Sequence, residues 1–377
     1  MQKKLFIIVN QDWFFLSHRL PIGVAAKKEG YDVTIITEDT GVSDKIRDYG
    51  LRTIDLSINK AGKNIKDEIK TFFFLLNLFR REKPDIVHLV GIKLMLWGSL
   101  ACRLAGVKNM VSAVCGLGVL FDEQHIKSFV TQSILKVFRL THKGDRVKII
   151  FQNEDDKNLF LLAHVGTEKK YAFTNGSGIN LNDYVYTPEF VEDGVIRVIF
   201  TARMVEDKGV LVLIDAAEKM AHEYKGKVQF LLCGGIDTNP NGITKSFLES
   251  KCDGDYIQWL GYRKDILELL KKSHIMAFPS WYREGLPKSV IEAEAIGRPI
   301  VTTNSVGCRD TVIDGVNGFI IPIKNVEALA NALKKLIDDS ELRCRMGLNA
   351  RKFAENKFDV NDVIKVHIDI YNSFFMG

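Results

Sequence analysis

Short apolar runs of strand length alternate with helical patterns along this chain, and the whole alternation occurs twice. In the first series, strands are predicted at 4–10, 31–39, 51–56, 85–90 and 108–115, with helices at 17–30, 43–50, 65–82 and 94–106 between them. The second series places strands at 195–201, 227–233, 256–259, 274–278 and 299–303, with helices at 208–222, 243–251, 263–272 and 286–296. Strands separated by helical crossovers pair in parallel, so this pattern specifies an α/β fold. At 377 residues the chain exceeds what one core usually serves. The two series meet near Tyr184–Gly194 and predict two doubly wound, Rossmann-like parallel-sheet domains, 1–188 and 189–358, with residues 359–377 carrying a last helix at 360–375. In such sheets a ligand sits at the carboxyl ends of the strands, here expected in a cleft between the domains.

The charge is uneven. Residues 1–188 hold 27 Lys+Arg against 20 Asp+Glu, a surplus of +7, and the remaining 25 against 27 leave −2, which together make the net +5. The basic first half favours anionic partners, lipid head groups or a phosphate-bearing acceptor. No recognisable nucleic-acid module is present, so nucleic acid is not expected as a partner. Six cysteines form no C-x-x-C pair, which points to a reduced, cytoplasmic setting and no structural metal. The opening MQKKLFIIVNQD has only five apolar residues in a row, a buried strand rather than a signal segment, and no run approaches the ~20 apolar residues of a spanning helix.

The chemistry concentrates at 278–297, FPSWYREGLPKSVIEAEAIG. An apolar strand ends in Pro279-Ser280, and Glu284 to Pro287 are expected to open a helix that Gly297 terminates. Glu284 and Glu292 stand eight residues apart, about 12 Å of helical rise on nearly one face. A carboxylate at each end, with a helix N-terminus between, suits a sugar joined to a diphosphate. Two solvated surface glutamates would be the bland alternative.

This stretch, an E-x7-E after a strand ending in Pro-Ser followed by E-A-x-A-x-G-x-P-I-V, resembles the retaining family 4 nucleotide-sugar glycosyltransferases of GT-B fold, and SVGCRDTVIDGVNGFIIP (305–322) fits the same family. Arg203 and Lys208-Gly209 resemble that family's Arg-x4-Lys-Gly signature, two cations suited to a diphosphate. The resemblance implies that 189–358 binds the donor and 1–188 the acceptor, and that the last helix packs back across the interface. It implies Glu284 on the donor sugar, as the catalytic carboxylate, and Glu292 on the ribose. The backbone of Gly285 and Leu286 would contact phosphate, since Pro287 has no N–H. Gly234, after Cys233, and Arg263, where the family holds the nucleobase, complete the donor set. DWFFLSHRLPIGVAAKKEGYDVTIIT resembles the acceptor-domain opening of bacterial surface-polysaccharide enzymes in the family and implies acceptor contacts for His18 and Arg19; Lys93 could reach phosphate. Cys115 stands where many members carry a histidine near the donor sugar, and no catalytic role is assigned to it.

No nucleophile–base–orienter triad appears, and Asp253-Gly-Asp255 reads as a turn rather than a metal-binding D-x-D. Residues 126–144 contain four cations and no acid, with apolar positions at helical spacing; with the Phe-rich 65–83 helix they suggest peripheral docking on a membrane. The activity the resemblance implies is metal- and cofactor-independent retaining transfer of a hexosyl or N-acetylhexosaminyl group from a UDP-sugar to a saccharide on a polyprenyl diphosphate at the inner face of the cytoplasmic membrane. The alternatives are a UDP-sugar 2-epimerase of the same architecture and a non-catalytic sugar-nucleotide-binding protein.

Overall fold

The computed structural model describes residues 2–56, 65–122, 125–189, 193–237 and 241–376. It divides into two units, Met1–Gly178 with Val360–Gly377, and Ile179–Asp359.

Unit 1 contains, in order, β1 (Lys4–Gln11), α1 (Asp12–His18), α2 (Leu20–Lys28), β2 (Asp32–Glu38), α3 (Ser43–Asp48), β3 (Arg52–Asp55), α4 (Ile65–Glu82), β4 (Ile86–Val90), α5 (Ile92–Ala105), β5 (Asn109–Ala113), α6 (Phe129–Thr141), β6 (Val147–Phe151), α7 (Glu154–Leu162) and β7 (Tyr171–Phe173). Its seven strands run parallel in the order β3-β2-β1-β4-β5-β6-β7. β4 and β5 are buried throughout, because helices cover both faces of the sheet. Alternate residues of β1 serve opposite faces: Phe6 and Ile8 pack with Leu75, Leu76 and Phe79 of α4 and Leu135 and Phe138 of α6, whereas Leu5, Ile7 and Val9 pack with Phe15, Ile22 and Ala26 of α1 and α2. The Phe-rich helix α4 is therefore largely core.

Two departures from the sequence reading occur here. The single helix expected at 17–30 is two helices, α1 beginning at Asp12 and α2 at Leu20, separated at Arg19 (φ −132°, ψ −9°). Pro21 cannot donate to the preceding turn and crowds its carbonyls, so one continuous helix is excluded. Asp12 explains the early start. Its buried carboxylate accepts hydrogen bonds from the backbone of Trp13, Thr40 and Val42 and from the Thr40 and Ser43 hydroxyls. Burial pushes that carboxyl up, and these bonds outweigh it and hold it below its ordinary value. The second departure is the boundary, which falls after Gly178 rather than after 188. Ile179 joins Leu286, Ile291 and Phe358 in a cluster of unit 2, and Thr187 donates its N–H to the Ile296 carbonyl. After unit 2 the chain returns as α14 (Val360–Ser373), which packs on α2 with Val363, Ile370 and Tyr371 in the unit 1 core. The Tyr371 hydroxyl lies 2.7 Å from Nδ1 of the buried His88.

Unit 2 contains β8 (Ile196–Thr201), α8 (Val210–Tyr224), β9 (Val228–Cys233), α9 (Lys245–Lys251), β10 (Ile257–Gly261), α10 (Ile266–Lys272), β11 (Ile275–Phe278), α11 (Lys288–Ile296), β12 (Ile300–Thr303), β13 (Gly318–Ile321), α12 (Val326–Asp338) and α13 (Ser340–Lys357). The parallel order is β10-β9-β8-β11-β12-β13, so the chain winds outward from β8 in both directions. The loops after β8, β9, β11 and β12 consequently share one edge of the sheet.

Behind that edge Glu294 of α11 is fully buried. One of its oxygens accepts a 2.7 Å bond from Asn317, whose own side chain accepts from the Ile313 N–H at 2.7 Å, and the other oxygen has no hydrogen-bond partner among the described residues. Burial pushes its carboxyl well above its ordinary value, so it is held as the neutral acid. Folding then retains a proton that the unfolded chain releases above pH ~4.5, and stability declines as pH rises beyond that point, by up to about 1.4 kcal/mol per unit. Glu294→Gln, neutral at every pH and of the same shape, is expected to raise the melting temperature at pH 8 and to flatten its decline between pH 5 and 8. Thermal unfolding at both pH values measures this; a lower melting temperature in the variant at pH 8 would contradict it.

Candidate active site

Three loops at the carboxyl edge of the unit 2 sheet are drawn together by glycines that no other residue replaces. Gly209 closes the turn after β8 with φ +82°, and a Cβ there would lie 2.0 Å from the Pro279 carbonyl oxygen. Gly307, after β12, has φ +81°, and its Cβ would lie 2.1 Å from the Gly285 carbonyl oxygen. Hydrogen bonds complete the junction: the Asp207 carbonyl accepts from the backbone N–H groups of Trp281 and Tyr282 at 3.0 and 3.1 Å, and Glu284 donates its N–H to Val306.

Lys208 and Glu284 meet inside this junction as an ion pair, with 12% and 11% of their side chains exposed. The Ser280 hydroxyl is 3.2 Å from the same carboxylate oxygen of Glu284. The Lys208 ammonium lies 4.9 Å from the Tyr282 ring centroid and 5.8 Å from that of Phe278. Burial, and after it the Glu284 charge, pushes the Tyr282 phenol up. Arg203, at the start of the same turn, is half-exposed and paired with Asp237 from the loop after β9. Each cation of the Arg-x4-Lys pattern thus already has a carboxylate partner.

Glu284 does not lie on the helix as expected. Pro287, with ψ 113°, is the N-cap of α11, so Glu284 precedes the helix by four residues and its place is set by Lys208 and the loop around Ser280. Glu292 does lie on α11. Its carboxylate accepts a 2.9 Å bond from the Tyr184 hydroxyl and is 3.6 Å from the Lys288 ammonium. Burial and the Glu292 charge push the Tyr184 phenol well up, which keeps it a donor. Tyr184 sits in the segment the sequence reading treated as linker, where no periodicity marks it. Gly285 and Leu286 are buried between the loops, Leu286 within the cluster formed with Ile291 and Phe358. Gly234 has a packing role: its N–H donates to Gly261, its carbonyl accepts from the Trp259 indole, and a Cβ would lie 1.7 Å from the Ala202 carbonyl oxygen. Arg263, after β10, is forked onto Asp265 at 2.8 and 2.5 Å.

In unit 1, His18 ends α1 with its ring stacked on Phe14, 4.3 Å between centroids. Arg19 is not the surface cation expected of an acceptor contact. The helix break at Pro21 turns it inward to 2% exposure, where Nη1 donates to the His18 carbonyl and Nη2 lies 2.9 Å from the Cys115 sulfur. Among the described residues no carboxylate pairs with it. Cys115 thus contacts a buried guanidinium, a link that no sequence spacing announces. Lys93 is paired at 2.6 Å with Glu68 of α4, which also accepts from the Trp97 indole at 2.6 Å. Asp253 accepts three backbone N–H groups, from Asp255, Tyr256 and Ile257, and pairs with Lys225, which makes the D-x-D a turn. Among the described residues no group of three His, Cys, Asp or Glu is placed to hold a metal ion.

The family model "Glycosyl transferases group 1" matches residues 188–353, and "Glycosyl transferase 4-like" matches residues 4–153. The chain is 29% identical over 95% of its length, and 97% of the relative's, to the N,N'-diacetylbacillosaminyl-diphospho-undecaprenol alpha-1,3-N-acetylgalactosaminyltransferase of Campylobacter jejuni. It is 25% identical to the UDP-Gal:alpha-D-GlcNAc-diphosphoundecaprenol alpha-1,3-galactosyltransferase of Escherichia coli, covering 91% of this chain and 89% of that one. Its fold matches the crystal structure of Anabaena HepE in complex with UDP and glucose with a TM-score of 0.78 at 16% identity, covering 99% of this chain and 100% of that one. Two parallel-sheet units, a paired Arg-x4-Lys turn beside an E-x7-E loop, and family models across both halves make this chain a glycosyltransferase of GT-B fold in family 4.

Proposed function

We propose that this enzyme transfers a sugar from a UDP-sugar to a saccharide carried on a polyprenyl diphosphate, in the assembly of a bacterial surface glycan and with retention of anomeric configuration. The observation that carries this reading is the pairing of Lys208 with Glu284 beside Arg203, at the strand ends where such sheets bind ligand. The named activities of the Campylobacter and Escherichia relatives, both on diphospho-undecaprenol-linked sugars, support the acceptor class, and the second supports the donor.

In the reaction the bond from the anomeric carbon to the diphosphate oxygen breaks as the bond to the acceptor oxygen forms on the same face. The acceptor hydroxyl gives its proton to the departing phosphate. Arg203 and Lys208 exchange their carboxylates for the diphosphate oxygens and stabilise the charge that builds there, a task that needs no metal. Glu284 holds hydroxyls of the donor sugar, and Glu292, aimed by Tyr184, accepts from the ribose. Catalysis on this scheme is positioning and electrostatics, with no protein base.

No described helix is long and apolar enough to cross a membrane. The helix α6, within the basic amphipathic stretch 126–144, exposes Phe129 and Val130, while Leu135 and Phe138 fill the core. Such a face supports peripheral association with the inner side of the cytoplasmic membrane, where a polyprenyl-linked acceptor resides.

Incubation with UDP- and GDP-sugars, with and without a polyprenyl-diphosphate saccharide, is expected to release nucleoside diphosphate only when the acceptor is present. An epimerised sugar formed without acceptor would establish the 2-epimerase instead, and tight binding without turnover a sensor. Lys208→Ala is expected to weaken UDP binding by about thirtyfold, the loss of a charge-assisted contact. It also strands Glu284 with little exposure and costs about 3 kcal/mol of stability. Lys208→Met with Glu284→Gln should recover most of the melting temperature but not the affinity, and UDP affinity equal to wild type in that pair would refute the diphosphate role. Asp237→Asn, which frees Arg203, is expected to tighten UDP binding by about threefold by titration calorimetry, and weaker binding would contradict the exchange.

A further inference from the structure

The amino edge of the unit 1 sheet carries a cavity of about 490 Å³ that none of the preceding chemistry uses. It lies between the last turns of α6, the residues leading into β6 and those leading into β7, and its walls include Lys136, Arg139, Leu140, Lys143, His164 and Lys170. No carboxylate lines it. Among the described residues none of Lys136, Arg139, Lys143 and Lys170 takes part in an ion pair, although nearly every cation of the donor site does. Arg139 is fixed in the wall by a 2.5 Å bond from Nε to the Ala163 carbonyl, and Lys170 lies 3.4 Å from the His142 carbonyl. A second cavity of about 360 Å³ adjoins it through Lys143 and Gly144 and adds Arg103, Lys108 and Arg146, with Asp145 as its one acid.

Like charges gathered in a concavity repel one another, and a fold gains nothing from them until an anion arrives. The buried imidazole of His142 registers the local field: burial lowers it first, Arg103 and Lys170 push it further down, and it falls to about 4 against the raising bond to Phe138. The surroundings name the anion's carrier. Phe129, Lys136 and Leu140 follow one another at spacings of 7 and 4 residues on one side of α6, with Lys143 just past its end, and Phe129 is 87% and Leu140 58% exposed. Leu162, one residue before Ala163, is 82% exposed. A free inorganic anion has no use for exposed Phe and Leu, whereas a bilayer surface offers both phosphate and hydrocarbon.

We propose that this basic cavity binds the phosphate headgroup of an anionic phospholipid and seats the α6 edge of unit 1 on the bilayer. The proposal deepens the membrane association put forward above and rests on it. Lys143→Gln/Lys170→Gln removes two cavity charges; Lys28→Gln/Lys45→Gln removes two exposed charges from α2 and α3, on the other face of the sheet. Co-sedimentation with phosphatidylcholine vesicles, with and without phosphatidylglycerol, compares the two. At about fivefold per lysine, the cavity variant is expected to lose about twenty-five-fold in partitioning to the anionic vesicles while the control stays within about twofold of wild type. Glycerol 1-phosphate should compete with wild-type binding, and UDP affinity should be unchanged in both variants. Equal losses in the two variants would reduce the effect to diffuse charge and overturn the site. Binding of inorganic phosphate, read by titration calorimetry, without any vesicle binding would overturn the lipid assignment. Absence of vesicle binding with sugar transfer intact would end the membrane association and leave the transfer reading standing, and vesicle binding without transfer would do the reverse.

Discussion

The ion pair between Lys208 and Glu284 is the contact on which the candidate site depends. It joins the turn after β8 to the loop after β11 in a place where water reaches little of either side chain. Removing both charges from water costs more than a surface pair would, and their attraction in that poorly hydrated place, together with the nearby Ser280 hydroxyl, offsets it. The backbone contributes the closeness. Without Gly209 against Pro279 and Gly307 against Gly285, the loops would stand too far apart for the lysine to reach its partner. A cation kept in place before ligand arrives needs little reorganisation when a diphosphate takes over from the carboxylate, which is the condition for strong electrostatic stabilisation of a leaving group.

Five strands of each sheet were legible in the sequence because they are buried on two faces, whereas β6, β7 and β13 were not predicted. Runs such as Ile86–Val90 are continuous in apolar character, and the helices between them restore the period. What stayed hidden followed from contacts distant along the chain. The early start of α1 depends on Asp12 meeting Thr40 and Ser43, and β7 is a three-residue strand whose pattern is too short to read. The cations and carboxylates of 203–208 and 284–292 were legible as residue types in a motif. Their partners were not: Asp237 lies 34 residues from Arg203 and Tyr184 lies 108 from Glu292. Helical arithmetic misplaced Glu284 because Pro287 starts α11 later than the motif suggests.

Arg19 shows how far one buried cation conditions its surroundings. His88 and His367 are both buried near it, and burial first holds each imidazole below its ordinary value, followed at His88 by the His367 and then the Arg19 charge and at His367 by the Arg19 charge. Neutral histidines let Tyr371 and the rest of α14 pack against the unit 1 core without a second buried charge. The final helix of the chain is in this sense part of the first unit's interior.

The two basic regions differ in a way that their tasks require. On the proposed reaction every turnover ends with release of a nucleoside diphosphate, and a cation whose own carboxylate waits beside it would let that anion go by re-forming Lys208–Glu284 and Arg203–Asp237. The competing acids lower affinity for substrate and product alike, and so keep the site from being trapped by its product. The cavity beneath α6 has no such acids, and its cations remain uncompensated until a phosphate arrives. A surface seated on a bilayer as proposed gains from that arrangement, since no acid lining the cavity displaces the anion. The surplus of +7 in residues 1–188 against −2 in residues 189–377 puts the excess of cations in the half that carries this cavity, where others such as Arg47 and Lys93 are paired with acids of their own.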